Sequence, residues 1–422
     1  MTMAAKAKWP TKRLSLLAEF RNGVNYNKSS FGDGVKVVGV SDFQDYTKPR
    51  YNELEQINPE GIVTERNILR DGDIVFVRSN GNRELIGRSL FIEQPPEEVT
   101  HSAFTIRLRF NSSEVHPKFY AYCFRTPLIR QGLTASGGGT NISNLNQDIL
   151  NALEVPLPPL SVQRRIASIL SAYDELIENN QQRIRILEQM ARSLYREWFV
   201  NFKFPGHEKV KLVPSPLGTI PKGWELKKLA EFVTTKYGYT ESTNAEPVGP
   251  KYLRGMDINK TSYIDWSEVP YCPVTPDDHK EYRLKVGDVV VIRMADPGKV
   301  GIVEQKVDAV FASYLIRVAP KDGRLTPYFL FYLMESDEYY GYITGASTGT
   351  TRKSASAGVI ADYRFVLPPQ QLVNLFERRV SEIRSLLTTL LKQVVNLRRT
   401  RDLLLPRLLS GEQQLLGTKY ES

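Results

Sequence analysis

The 422 residues are 41% hydrophobic and 24% charged, a globular composition too long for one comfortable core, so at least two domains are expected. No run approaches the roughly 20 apolar residues of a membrane helix, and Met1 to Trp9 carries Lys6 and Lys8 without an apolar segment, so the chain is expected in the cytosol, off the membrane. The formal charge of +9 favours a polyanionic partner without identifying one.

In chain order, the first 157 residues read as a mixed domain. Leu17-Ala18-Glu19-Phe20 follows Trp9, and Val35 to Val40 reads as a strand. Gly72-Asp73 then opens a turn into the apolar strand Ile74 to Val77, which Arg78 closes. Beyond it runs RSNGNRELIGR, residues 78–88, rich in donors and acceptors. A polar stretch, Ala135 to Asn146, leads to Leu157-Pro158-Pro159 and a helical pattern with apolar positions at Ile166, Leu170, Tyr173, Ile177, Ile184, Leu187, Ala191, Leu194 and Trp198, and Asn180 within the seam. The spacing alternates four and three, a coiled-coil seam, and proline suits a helix start because its missing N–H is not needed there.

The second half repeats the first about 210 residues later. Leu229-Ala230-Glu231-Phe232 follows Trp224, and Gly287-Asp288 opens the strand Val289 to Ile292, closed by Arg293. Ile106-Arg107 returns as Ile316-Arg317, Pro117 and Phe119 as Pro327 and Phe329, and the polar stretch as Gly345 to Ala357. After Leu367-Pro368-Pro369 the seam runs Phe376, Val380, Ile383, Leu387, Leu390, Val394, Leu397, Arg401, Leu404 and Leu408. The expected class is therefore α+β: two similar α/β domains, residues 1–157 and 205–367, separated by two long helices, 158–204 and 368–412, with a tail at 413–422. A pseudo-twofold relation between the halves favours an antiparallel coiled coil. From Ile166 to Trp198 is 32 residues, about 48 Å of helix, against about 34 Å for one turn of duplex DNA. The rod could therefore set the distance between two reading heads, or simply join two domains.

Charge is unevenly placed. Residues 1–157 hold 19 basic and 17 acidic side chains and residues 205–367 hold 21 and 20, whereas the two helical segments carry most of the excess. Nearly neutral domains point to local patches rather than nonspecific phosphate binding.

Catalytic signatures are sparse. No Asn/Asp-Pro-Pro-aromatic loop of an adenosylmethionine-dependent base methylase is present, and Gly81 to Ser89 fails as a P-loop in spacing and in carrying Arg88 where lysine is required. The two cysteines, Cys123 and Cys272, and the histidines His101, His116, His207 and His279 form no ligand spacing. An enzymatic alternative is a Mg²⁺-dependent nuclease built on Asp277, Glu304 and Lys306, a loose PD...ExK pattern whose repeat counterpart, Glu93-Gln94-Pro95, lacks the lysine. A structural alternative is a coiled-coil scaffold for protein partners alone.

The run SLYREWFVNFKFPG from Ser193, VPLPPLSVQRRIASIL from Val155, PKGWELKKLAEF from Pro221 and LLPRLLSGE from Leu404 resemble the specificity subunit of type I restriction-modification systems over essentially the whole chain. The resemblance implies two target-recognition domains, each reading one half of a split, asymmetric site in double-stranded DNA, with the helices spacing the halves. It also implies that the chain does no chemistry and holds no cofactor. Two modification subunits binding S-adenosylmethionine would dock on the helices and flip out adenines for methylation; restriction subunits would add ATP- and Mg²⁺-dependent translocation and cleavage. Leu367-Pro368-Pro369-Gln370-Gln371 differs from Leu160-Ser161-Val162-Gln163, so the two helix starts are not interchangeable.

Candidate DNA-contacting residues follow. Arg78 and Arg293 suit bidentate contact to guanine or phosphate, with a structural ion pair as the alternative. Ser79, Asn80, Asn82, Arg83 and Arg88 surround the first and Lys299 is the nearest analogue of the set in the second. Loop residues Thr140, Asn141, Ser143, Asn144, Thr350, Arg352 and Lys353 come next, followed by Lys236, Tyr237 and Tyr239, which combine charge with aromatics. For partner docking the choice is Tyr195, Arg196, Trp198 and Phe199, since aromatics and arginine dominate interface hot spots, with Phe199 expected as the exposed anchor.

Overall fold

The computed structural model describes residues 9–43, 47–135, 144–347 and 353–410. The chain packs as two compact units, residues 1–179 with 393–422 and residues 180–392. Each takes one globular half and one end of each long helix.

The two units share a topology. In the first, a four-stranded antiparallel sheet runs Ala18–Asn22, Thr105–Phe110, Ile74–Val77, Ser89–Phe91 in order across. In the second the order is Val233–Tyr237, Leu315–Pro320, Val289–Ile292, Val300–Ile302. A parallel pairing accompanies each sheet: Phe31–Val38 with Val99–His101 in the first unit, and Lys251–Leu253 with Ala309–Phe311 in the second. Near each unit's entry and exit the chain is tied by antiparallel pairs, Thr11–Arg13 with Glu154–Pro156 and Glu225–Lys228 with Arg364–Leu367. Those ties deliver the Leu-Pro-Pro segments to the helix starts.

Strands Ile74–Val77 and Val289–Ile292 are buried at every position because both sheet faces are covered. Side chains alternate along a strand. Ile74 and Phe76 therefore join a core with Phe119 and Leu170, while Val75 and Val77 join a second with Val38 and Phe43. Val289 and Val291 pack with Phe329 and Phe376, and Val290 and Ile292 with Leu253 and Phe311.

The Gly-Asp motif proves to be a turn device. Gly72 and Gly287 have φ of +86° and +92°, a left-handed conformation that side chains resist, and both sit against a proline, Pro117 or Pro327. The following carboxylate closes the turn: Asp73 accepts from the Arg70 N–H at 2.7 Å and Asp288 from the Lys285 N–H at 2.8 Å. Asp73 also pairs with both ends of the Arg109 guanidinium at 2.7 Å.

The long helices run Leu160–Tyr195 and Gln370–Ser410. Within the second unit, Tyr195 lies 5.9 Å from Phe376, ring to ring, and further back along the first helix Glu188 meets Ser262, which Arg384 also holds. Within the first unit, Asp174 bonds Arg401 at 2.6 Å while Val162 and Ile166 share a core with Leu408 and Leu409. In each unit the helices therefore run antiparallel, as expected, and most of the expected seam positions are buried.

Candidate nucleic-acid interface

The arginines that close the central strands occupy corresponding places. Arg78 donates its backbone N–H to the Phe104 carbonyl at 2.8 Å and accepts at its own carbonyl from Leu145 at 2.9 Å; Arg293 donates to Tyr314 at 2.9 Å and accepts from Ala355 at 2.9 Å. Each is thus held between the turn before the paired strand and the end of the polar stretch. Neither guanidinium forms an ion pair among the described residues. Arg293 instead lies 5.0 Å over the Tyr237 ring, with its Nη1 3.4 Å from the Ser313 carbonyl.

Around Arg78, Ser79 reaches the Phe104 carbonyl through its N–H, and the carboxamide oxygens of Asn80 and Asn82 accept from the N–H groups of Asn82 and Glu84. These asparagines shape the turn as well as decorate it. Arg83 lies in the short helical turn Arg83–Leu85. Arg88 pairs its carbonyl with the Val77 N–H and faces Arg130, whose guanidinium is lowered by burial and by the Arg88 charge. In the second unit Lys299 answers Arg88: its carbonyl accepts from Ile292 and its ammonium lies 4.8 Å over the Tyr340 ring. Asn144 and Lys353 are exposed where the polar loops rejoin the fold. Thr140, Asn141, Ser143, Thr350 and Arg352 lie outside the described residues.

Other candidates are engaged within the fold. Lys236 pairs with Glu281 at 2.7 Å, and Tyr239 stacks on Tyr282 at 5.1 Å while donating to the Pro273 carbonyl at 3.0 Å. Tyr237 remains exposed, its hydroxyl accepting from the Ala357 N–H.

The expectation of Phe199 as an exposed anchor is corrected. Tyr195, Trp198 and Phe199 are all buried in the core of the second unit. Phe199 packs edge-on to Phe329 at 4.9 Å and to Phe376 at 5.1 Å. The reason is a wide turn, Arg196–Val200, with π-helical geometry, which changes the angular phase of the helix so that positions 198 and 199 both turn inward. Arg196 alone of the four stays on the surface, paired with Asp337.

The nuclease reading lacks a free Glu304. Both oxygens of Glu304 are taken by the Arg384 guanidinium, at 2.7 and 2.6 Å, and Tyr328 donates to one of them. Asp277 sits in the first turn of the short helix Pro276–Tyr282, capped by Thr275, and Lys306 is exposed. Among the described residues no group of three His, Cys, Asp or Glu side chains could hold a metal ion, and no helix is long and apolar enough to cross a membrane.

Sequence reasoning passed over Phe104 and Tyr314, exposed aromatics in equivalent turns beside Arg78 and Arg293. The 210-residue offset would have paired them, but exposure is not legible in a sequence.

A family model described as the type I restriction modification DNA specificity domain matches residues 6–189 and again 221–378. The specificity subunit of the type I restriction enzyme MjaIX from Methanocaldococcus jannaschii is 27% identical over 310 residues, covering 70% of this chain and 68% of the relative. The MjaVIII specificity subunit of the same organism is 25% identical over 370 residues, covering 86% and 83%. The crystal structure of a type I restriction-modification S subunit from M. genitalium superposes with a TM-score of 0.57 at 15% identity, over 97% of this chain and 98% of that one, a likeness of fold.

Proposed function

This chain belongs to the type I restriction-modification DNA specificity family, and from that premise we propose that each globular half reads one part of a split, asymmetric DNA site. The observation that carries this reading is internal. Two units of one topology each present an arginine without an ion-pair partner among the described residues, at the same strand end and with the same backbone anchors. A single chain with two related but non-identical reading surfaces matches a target with two different halves.

The chain supplies recognition and its partners supply chemistry. Two modification subunits would dock along the helices and hold S-adenosylmethionine; restriction subunits, where they join, would hold ATP and Mg²⁺. This assigns the chain no catalytic residue, and it would act in the cytosol, where the host DNA is. Occupation of Glu304 by Arg384 supports that division by removing the carboxylate the nuclease alternative needs.

The test is to express the chain with an adenine-methylating modification subunit from the same genome and map N6-methyladenine in the host DNA. A bipartite motif is expected, and Arg78→Ala and Arg293→Ala should each relax discrimination in a different half, at about 1–3 kcal/mol per lost bidentate contact. Methylation at a continuous, palindromic site would overturn the reading.

A further inference from the structure

Scattered exposed apolar side chains are ordinary on a protein surface. Two of them here are not scattered. Phe104 is 61% exposed and Tyr314 50% exposed, and they exceed every other exposed large aromatic side chain among the described residues. They stand 210 residues apart, the offset of the repeat, so each unit presents its most exposed large aromatic at the same point of the same turn.

That turn is held rigidly in both units. Thr105 donates to the Ser102 carbonyl at 2.9 Å and Leu315 to Ala312 at 2.8 Å, closing the turn beneath the aromatic residue. On one side Ala103 donates to Val24 at 2.8 Å and Ser313 to Tyr239 at 2.9 Å; on the other, the aromatic residue's own carbonyl accepts from Arg78 or Arg293. Close approach of the neighbouring strand is possible only because Gly23 and Gly238 stand there: a Cβ would overlap the carbonyls of His101 and Ser102, or of Phe311 and Ala312. Residues around the aromatic have meanwhile diverged, His101 against Phe311, Ser102 against Ala312, Thr105 against Leu315. What the two turns retain is a fixed, outward aromatic ring next to an arginine that no carboxylate neutralises among the described residues.

A pre-organised ring beside a cation suits a ligand with apolar surface next to negative charge, which duplex DNA combines in the sugars and thymine methyl groups that lie beside its phosphates. We propose that Phe104 and Tyr314 are DNA-contacting residues, each laying its ring against a base or sugar of one half-site while the adjacent Arg78 or Arg293 takes the polar contact. This deepens the recognition reading above and rests on it.

The experiment uses the full chain assembled with its modification subunits and a fluorescent duplex carrying the site mapped from host N6-methyladenine. Phe104→Ala and Tyr314→Ala should each weaken binding by roughly 10- to 100-fold, the scale of one lost buried aromatic contact, whereas Phe104→Tyr and Tyr314→Phe should restore it. The salt dependence should not change in the alanine variants, because no phosphate contact is lost, but Arg78→Ala should lower its slope if that arginine grips phosphate. Thermal melting should match the parent chain, since both rings are at least half exposed. A parent complex that binds no duplex overturns the recognition reading and this inference with it. A parent complex that binds, with both alanine variants within twofold of it, overturns this inference alone. Alanine variants that keep duplex affinity but no longer retain the modification subunits would make the rings a protein contact and equally overturn it.

Discussion

Two side chains show how far context resets the meaning of a residue. His101 is fully buried, with Nδ1 2.9 Å from the Thr105 hydroxyl and Nε2 without a partner among the described residues. Burial, then the charges of Arg107, Arg109 and Arg21, push its imidazole down to about 3. An unfolded histidine takes a proton near pH 6.5 and the folded one refuses it until about pH 3. Above pH 6.5 the group is therefore silent, and as pH falls below that the unfolded state gains protons and stability drains away, by about 2 kcal/mol at pH 5. His101→Phe, matching Phe311 at the equivalent position, should remove that component; urea midpoints at pH 7 and pH 5 that shift as much in the variant as in the parent would contradict it. Phe199 carries the opposite lesson. Its burial among Phe329, Phe376 and Trp224 means that Phe199→Ala should destabilise the second unit by about 3–5 kcal/mol rather than merely weaken a docking surface. A denaturation midpoint unchanged from the parent chain would show the ring to be dispensable.

At the scale of elements, the helices are held to their units by buried polar contacts as well as by the apolar seam. Arg384 is fully buried on the second helix, where it grips Glu304 and both the hydroxyl and the carbonyl of Ser262. Burial opposes its charge, yet the Glu304 hydrogen bonds prevail and its pKa is raised. Removing one member of such a pair strands the other, so Arg384→Met should cost about 3–5 kcal/mol. Adding Glu304→Gln should recover a good part of that loss, because the orphaned carboxylate goes with it. Equal destabilisation in the single and double variants, measured by urea titration, would show that the ion pair is not what matters there. In the first unit the same role falls to Asp174, which meets Arg401 at 2.6 Å and the Tyr122 hydroxyl at 2.8 Å. Arg401 is legible in the sequence as a polar break in the seam, but its partner is not. Arg384 sits beside the seam, and nothing in a heptad pattern distinguishes a charged residue facing solvent from one facing a neighbouring domain.

For the whole molecule, the repeat links architecture to recognition. If the helices set the separation of the two half-sites, inserting one heptad into each long helix preserves the seam and adds about 10.5 Å of rod. The methylated motif should then gain about three base pairs between its halves, at about 3.4 Å each. Methylome mapping reads this directly, and an unchanged spacer would mean that the helices join the domains without measuring the DNA.

Two kinds of information separate cleanly in this chain. The repeat, the Gly-Asp turns before the central strands, the Leu-Pro-Pro helix starts and the seam from Ile166 to Leu408 were all legible in the amino-acid order, because each depends on local geometry or on a periodicity that neighbouring residues carry themselves. Burial of Phe199, engagement of Lys236 by Glu281 and of Glu304 by Arg384, and exposure of Phe104 and Tyr314 were decided only on folding. The burial and the two ion pairs turn on partners 25 to 177 residues away in the chain and, for Phe199, on a wide turn that shifts the phase of one helix end. Pattern and period act along the chain, whereas the availability of a side chain for DNA or a partner subunit is settled by what the fold brings against it.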